Sequence, residues 1–333
     1  MKQHGCRVVL GRWIVCGTVV LCGVAASDLA EDAGGVLDVA GRGGLVVHLG
    51  CGDALLTEQL RGGDGCLVHG LDADPVKIDA ARARMLAARV YGAVSVEQWT
   101  HEYLPYADNI VNLLVVSDWS GVSMEEALRV LAPGGVVCRR EDAVWEKRVK
   151  PRPEALDEWT HYLHDASGNA VAMDSAVRPP NRMQWVAGPR FGRSHEIDTT
   201  IGALVSAGGR LFYIVDEGLT GITDERLPSQ WALAARDAFS GVLLWKRPLP
   251  NWGWREWKRE ELEGKDWTGI RGQRTQTPPD LPRRLVALGT GVYVTLGWQA
   301  PVSVLDAATG DVVRTCEGTE HTQEIVCANG VLV

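Results

Sequence analysis

The run Leu45-Val46-Val47-His48-Leu49-Gly50-Cys51-Gly52-Asp53-Ala54 decides the fold. Its apolar half has the length and β-branched content of a buried strand, and it breaks into a glycine-rich turn ahead of a helical segment. Glycines at such a turn let backbone amides and a helix N-terminus approach a ligand closely. Alone, a Gly-x-Gly carries little weight. It gains weight from Gly70-Leu71-Asp72, about 20 residues further on, which ends the next strand in a carboxylate able to accept both hydroxyls of a ribose.

Outward from this stretch, short apolar runs alternate with helical periodicity as far as about residue 140, the pattern of βαβ units on a parallel sheet. Strands are expected at Leu45 to Leu49, Cys66 to Leu71, Ala93 to Glu97, Val111 to Ser117 and Gly135 to Arg139. Asp74 to Arg89 is rich in helix formers, with an acidic start and a basic end that suit the helix dipole. The glycine spacing lacks the third glycine of the dinucleotide fingerprint, and no phosphate-binding Lys follows, which disfavours a nicotinamide enzyme.

This series resembles the class I S-adenosylmethionine-dependent methyltransferases, of the small-molecule (type 11-like) kind. Val47 to Asp53 stands as the first motif and Gly70-Leu71-Asp72-Ala73-Asp74-Pro75 as the second. Leu104 to Asn109 precedes the fourth strand, and Ala127-Leu-Arg-Val-Leu-Ala-Pro-Gly-Gly135 precedes the fifth. The resemblance implies a Rossmann-like domain over 27–145 with S-adenosylmethionine as cofactor. It implies Gly50 and Gly52 beneath the methionine part, Asp72 on the ribose, Trp99, Thr100 and His101 flanking the adenine, and Ser117 or Asp118 facing the methyl group. Members of that family work mainly by positioning, so no nucleophilic side chain is required. The chain departs from the family pattern at His48, where an acidic residue is usual, and at Ala54, where glycine is usual. Thr100 and Asn112 likewise replace common acidic residues. These departures predict a weakened cofactor site, with His48 counted among the residues of that site.

From about Pro151 the texture changes to prolines, glycines, tryptophans and short β-rich runs, placing a domain boundary within 141–160. Asp237-Ala-Phe-Ser240-Gly241 returns as Asp306-Ala-Ala-Thr309-Gly310, and Gly-led apolar strands recur at Gly209, Gly291 and Gly330. The last two are spaced close to the roughly 40-residue period of a four-stranded propeller blade. Asp and Ser or Thr cap turn amides, and glycine supplies the positive φ of a hairpin. Ala235 to Trp245 resembles the repeat of quinoprotein (PQQ)-like β-propellers, although Arg314 stands where the second copy would carry tryptophan. The resemblance implies all-β blades over 146–333, incomplete in number because the chain stops at Val333 within an apparent strand. No adjacent cysteine pair supports a quinone cofactor. Trp252, Trp254, Trp257 and Trp267 either stack on a sugar or quinone or pack the blades together.

Lys2, Arg7 and Arg12 precede an uncharged run from Trp13 to Ala26, the layout of a secretory signal peptide over 1–26. That predicts export to the periplasm or beyond, with the membrane touched only through this segment. Of 8 cysteines, Cys316 and Cys327 are the one pair placed to form a disulfide, with two buried thiols as the alternative. A net charge of −8 disfavours nucleic-acid partners.

Trp159-Thr-His161-Tyr-Leu-His164-Asp165, with His195 and Glu196 downstream, has metal-ligand residue types, yet hydrogen bonding to backbone at the entry to the first blade explains them better, and no metal is expected. The function expected is methyl transfer to a small molecule or peptide, coupled to a propeller binding domain that could take a protein partner. The alternative is an exported, non-enzymatic propeller scaffold carrying a degenerate nucleotide fold.

Overall fold

Six consecutive residues, Gly44–Leu49, all buried except the half-buried Leu45, form β1 in the interior of a six-stranded sheet. A strand buried on both faces is nearly continuous in apolar residues, which is why this run shows no polar alternation, and its one polar side chain, His48, is hydrogen-bonded. The computed structural model describes Val36 and residues 43–333, apart from 142–143, 177–178, 180–182, 193–199, 221–228 and 265–276. The expected signal peptide lies outside the described residues, as do His195, Glu196 and Trp267.

After β1 come α1 (Leu55–Gln59), β2 (Cys66–Asp72), α2 (Pro75–Ala87), β3 (Val94–Gln98), β4 (Val111–Val116), α3 (Met124–Val130), β5 (Leu131–Glu141) and β6 (Val144–Val149). The order across the sheet is β3-β2-β1-β4-β5-β6, parallel except for β6. Successive strands are laid outward on one side of β1 and then on the other, so the order reverses between β1 and β4. Helix α2 starts where Asp74 accepts the Val76 amide and Pro75 occupies the first turn. No helix joins β3 to β4 among the described residues; an extended loop, 99–110, does so instead. Strand β6 carries the sheet past the expected limit at 145, because its charged residues, Glu146 to Arg148, hide an edge strand from a reading based on apolar runs.

The second region consists of antiparallel meanders. Strands β7 (Ile201–Ala207), β8 (Arg210–Asp216), β9 (Trp231–Asp237) and β10 (Leu243–Pro248) form one four-stranded sheet. Strands β11 (Leu285–Leu288), β12 (Gly291–Thr295), β13 (Val302–Asp306) and β14 (Val312–Cys316) form a second, and β15 (Cys327–Ala328) pairs with β16 (Val331–Leu332). The two larger sheets share one apolar core, in which Phe212, Ile214 and Leu233 meet Leu285, Val292 and Val294. Among the described residues these sheets are blade-like units, and no closed ring is present.

The repeated turn has a definite job. Asp237 Oδ1 accepts the Phe239 and Ser240 amides, and Asp306 Oδ1 accepts those of Ala308 and Thr309. Each turn then receives a tryptophan from earlier in the chain. Trp185 Nε1 donates to the Ala238 carbonyl and Trp245 Nε1 to that of Ala307, both at 3.1 Å. The glycine is obligatory because a Cβ on Gly241 or Gly310 would stand 2.4 or 2.7 Å from the respective indole. Trp252 and Trp257 resolve the other tryptophan question in favour of packing, for they interlock with Trp231 and Trp298 between the sheets.

Three successive residues pin three successive sheets. The Trp159 carbonyl accepts the Ser206 amide of β7, the Thr160 carbonyl accepts the Ala287 amide of β11, and His161 Nε2 accepts the Cys327 amide of β15. The thiols of Cys316 and Cys327 are both free, which is the alternative to the disulfide, with Cys327 buried and Cys316 half-buried.

The meanders dock beneath the α/β sheet, against the amino-terminal ends of its strands. Gly43 and Gly65 leave no room for a Cβ beside Leu244, and Asn112 at the foot of β4 reaches Asp237.

Candidate functional site

At the opposite, carboxyl-terminal edge, β1 ends in the glycine turn. The Gly50 and Cys51 amides both donate to the Leu71 carbonyl, at 2.8 and 3.0 Å. Gly50 has φ +73°, and a Cβ there would lie 2.6 Å from the Asp118 amide, so the close approach of the loop after β4 requires glycine. Gly52 also has positive φ, but a Cβ on it would meet nothing within 4 Å. Its outward side is open space.

Asp72 knots this edge together. Its Oδ2 accepts the Gly52 amide at 2.8 Å, its Oδ1 accepts the Asp74 amide at 2.9 Å, and its backbone carbonyl accepts the Trp99 amide at 2.9 Å. One residue thereby fixes the glycine turn, the start of α2 and the exit of β3. A carboxylate has about four acceptor directions. Two are left over on a carboxylate that is bonded to Gly52, whose own outward side is open.

His48, expected among the cofactor contacts, is corrected by its position. It lies below the turn, 2% exposed, with Nδ1 2.8 Å from Thr57 Oγ1 and Nε2 2.8 Å from Ser117 Oγ. Both ring nitrogens are spent on the protein, and no face remains for a ligand. Burial lowers its pKa to about 4, with Asp72 pulling weakly in the other direction. The imidazole is neutral at ordinary pH. Cys51 is also buried, and that burial pushes its thiol up to about 12, so it is a packing residue and not a nucleophile. Gly70 makes room for it, since a Cβ there would come within 3.0 Å of the Cys51 sulfur.

Ser117 follows β4 directly, its amide bonded to the Leu49 carbonyl and its side chain exposed beside the turn. Thr100 and His101 are exposed at the exit of β3, and the His101 ring meets Trp99 edge-on at 4.9 Å. Gly50, Gly52, Asp72, Thr100, His101 and Ser117 therefore share one edge of the sheet, and His48 alone is withdrawn beneath it.

A network that the sequence reading missed holds loop 99–110 in place. Buried Glu126 accepts the Leu104 amide at 2.7 Å and two bonds from Arg129, whose other arm reaches Asp108 at 2.6 Å. Ser123 caps α3 by accepting the Glu126 amide. Ser-x-x-Glu is the signature of a capping box, in which the glutamate would turn back to the serine amide. Here the carboxylate leaves the helix to hold the loop. Hydrogen bonds from Arg129 keep its pKa low despite burial.

The histidines of the second region are committed to the protein. His164 Nε2 lies 2.7 Å from Asp157 Oδ2. The Thr160 hydroxyl donates to the His164 carbonyl, so Thr160 Oγ1 must accept from His161 Nδ1, and Nε2 is left bare for the Cys327 amide. His161 thus has the backbone-bonding role expected of it, whereas the His164 ring is held by a carboxylate.

Residues 46–135 match the family model of a methyltransferase domain. No curated protein matches the chain. Among solved structures, it is similar to a putative S-adenosyl-L-methionine-dependent methyltransferase from Methanococcus maripaludis, at 18% identity over 34% of this chain and 55% of that one, with a TM-score of 0.32. It is also similar to a putative sarcosine dimethylglycine methyltransferase from Galdieria sulphuraria, at 22% identity over 34% and 45%, with a TM-score of 0.30. A third likeness is to geranyl diphosphate C-methyltransferase from Streptomyces coelicolor A3(2), solved with Mg2+, geranyl diphosphate and S-adenosyl-L-homocysteine, at 20% identity over 34% and 44%, with a TM-score of 0.30. The chain spans about half the length of these structures.

Proposed function

We propose that the α/β domain binds S-adenosylmethionine at the carboxyl-terminal edge of its sheet and catalyses methyl transfer to a small-molecule or peptide acceptor. The observation that carries this reading is Asp72, which holds the Gly52 amide with acceptor capacity to spare, beside a turn whose outward side is open and next to the point where strand order reverses. Ligands of open α/β sheets bind at that reversal. Gly50 and Gly52 would underlie the amino-acid part of the cofactor, Asp72 would take the ribose hydroxyls, and Thr100 and His101 would border the base. The sulfonium supplies an activated methyl group, and the protein's share is to orient it and keep water away. The matched family model, covering nearly all of this domain, supports the same reading.

The tryptophan-on-glycine docking of the two meanders supports a propeller-like role for the second region as a binding module. Its place under the sheet keeps it away from the cofactor edge. Calorimetric titration with S-adenosylhomocysteine, S-adenosylmethionine and a nicotinamide dinucleotide tests the proposal. Saturable binding of the first two is expected. Heat from the dinucleotide alone would put a nicotinamide-binding site in its place, and heat from none of the three on folded protein would leave a non-enzymatic scaffold.

A further inference from the structure

Ser117, His48 and Thr57 form a hydrogen-bonded chain that runs from the exposed rim of the turn into the interior, with both links at 2.8 Å. Only the serine end reaches solvent; His48 is 2% exposed and Thr57 fully buried. A hydroxyl backed by an imidazole that a third group orients is the arrangement that moves protons at active sites. We propose that Ser117, with His48 behind it and Thr57 fixing the ring, takes the proton lost by an acceptor hydroxyl, so that the site is built for O-methylation of an alcohol or phenol. The inference rests on the cofactor reading above.

The steps balance. An oxygen lone pair of the acceptor forms the new C–O bond while the C–S bond breaks, its electron pair passing to sulfur and neutralising the sulfonium. The methylated oxygen is then an oxonium, which hands its proton to Ser117 Oγ as Ser117 passes its own to His48 Nε2. After product leaves, His48 returns the proton through Ser117 to water. The chemistry selects oxygen over nitrogen. An oxonium is far more acidic than a buried imidazolium and gives up its proton readily, whereas a methylated amine is a weaker acid than that imidazolium and would keep it. Burial makes His48 a weak base, with Asp72 the charge that opposes this effect. A weak base serves only for an acid as strong as an oxonium.

The relay requires His48 to carry its proton on Nδ1, toward Thr57, and to keep Nε2 bare for the Ser117 hydroxyl. Long-range 15N–1H spectra of the full chain read this directly, and the expected pattern is one bare Nε2 that is perturbed in Ser117→Ala and retained in Ser117→Thr. With labelled S-adenosylmethionine and a panel of phenols, alcohols and amines, the wild type should favour hydroxyls. Ser117→Ala should still bind S-adenosylhomocysteine yet transfer about tenfold or more slowly near neutral pH, recovering toward the phenol's own ionisation, with Ser117→Thr close to wild type. A protonated Nε2, an unimpaired Ser117→Ala, or a cofactor-binding wild type that methylates amines or nothing would overturn the relay. Absence of any S-adenosylhomocysteine binding would instead remove the cofactor reading, a different result.

Discussion

Asn112 donates its side-chain amide to Asp237 Oδ2 at 2.7 Å while its own Oδ1 accepts the Leu45 amide at 2.8 Å. One side chain thereby joins β4 to β1 and the α/β domain to the first meander, and Gly44 is needed beside it because a Cβ there would clash with the amide oxygen. An aspartate at this position would set a carboxylate against a carboxylate. Asn112→Asp is expected to destabilise the protein by roughly 2 kcal/mol or more, through lost bonding to a charged group and like-charge repulsion. Adding Asp237→Asn should recover most of that in a double-mutant cycle followed by denaturant unfolding. Two independently additive losses would show that the contact carries no coupling.

Asp72→Ala removes the acceptor for two backbone amides as well as the proposed ribose contact. Bonds to a charged acceptor are worth about 1.5 to 3 kcal/mol. The variant should lose tenfold or more in S-adenosylhomocysteine affinity by calorimetry and also unfold at lower denaturant. Unchanged affinity would place the ribose elsewhere.

Acid should weaken the fold through His48. Its folded pKa, about 4, lies below the ordinary 6.5, so the unfolded chain takes up the proton first as pH falls. Stability is full above about pH 6.5 and declines toward pH 4, by about 3 kcal/mol from this one group. His48→Gln should give a flatter profile across that window when denaturation midpoints are measured against pH. Equal slopes in the two proteins would show that His48 is no more buried in solution than in the unfolded chain.

Ala54 caps α1 in the left-handed region, φ 62° and ψ 22°, where an L-residue costs about 1 to 2 kcal/mol. Its methyl is fully buried, worth roughly 0.8 kcal/mol. Ala54→Gly should therefore be neutral or stabilising by up to about 1 kcal/mol. Ala81→Gly, an equally buried change inside α2, should cost about 1 kcal/mol or more. Thermal unfolding of the two variants side by side checks the contrast.

The central sheet was legible because its signal is local: β1, β2 and β4 are predominantly apolar runs, and Asp74-Pro75 announces α2 in two residues. The repeated Asp-x-x-Ser/Thr-Gly unit likewise gave its turns, since each caps its own amides. What escaped depends on partners far along the chain. Trp185 reads as one more tryptophan in an irregular stretch until Gly241 lies under it, and the reach of Glu126 to Leu104 cannot be seen from a helix cap. His48 shows the opposite failure. Its place inside a ligand-binding motif suggested contact with the ligand, but a strand's alternation turns position 48 away from the open edge, toward α1.

The joint at Asn112 has a mechanical corollary. Leu45 and Asn112 stand near the feet of β1 and β4, and the same two strands carry Gly50 and Ser117 just past their tips. Each strand is a stiff strut of roughly 20 Å at about 3.3 Å per residue. Asn112 at the feet and the Ser117 amide on the Leu49 carbonyl at the tips bracket the paired strands at both ends, so the first meander is tied to the same strand pair that carries the turn, without any contact between that meander and the crevice.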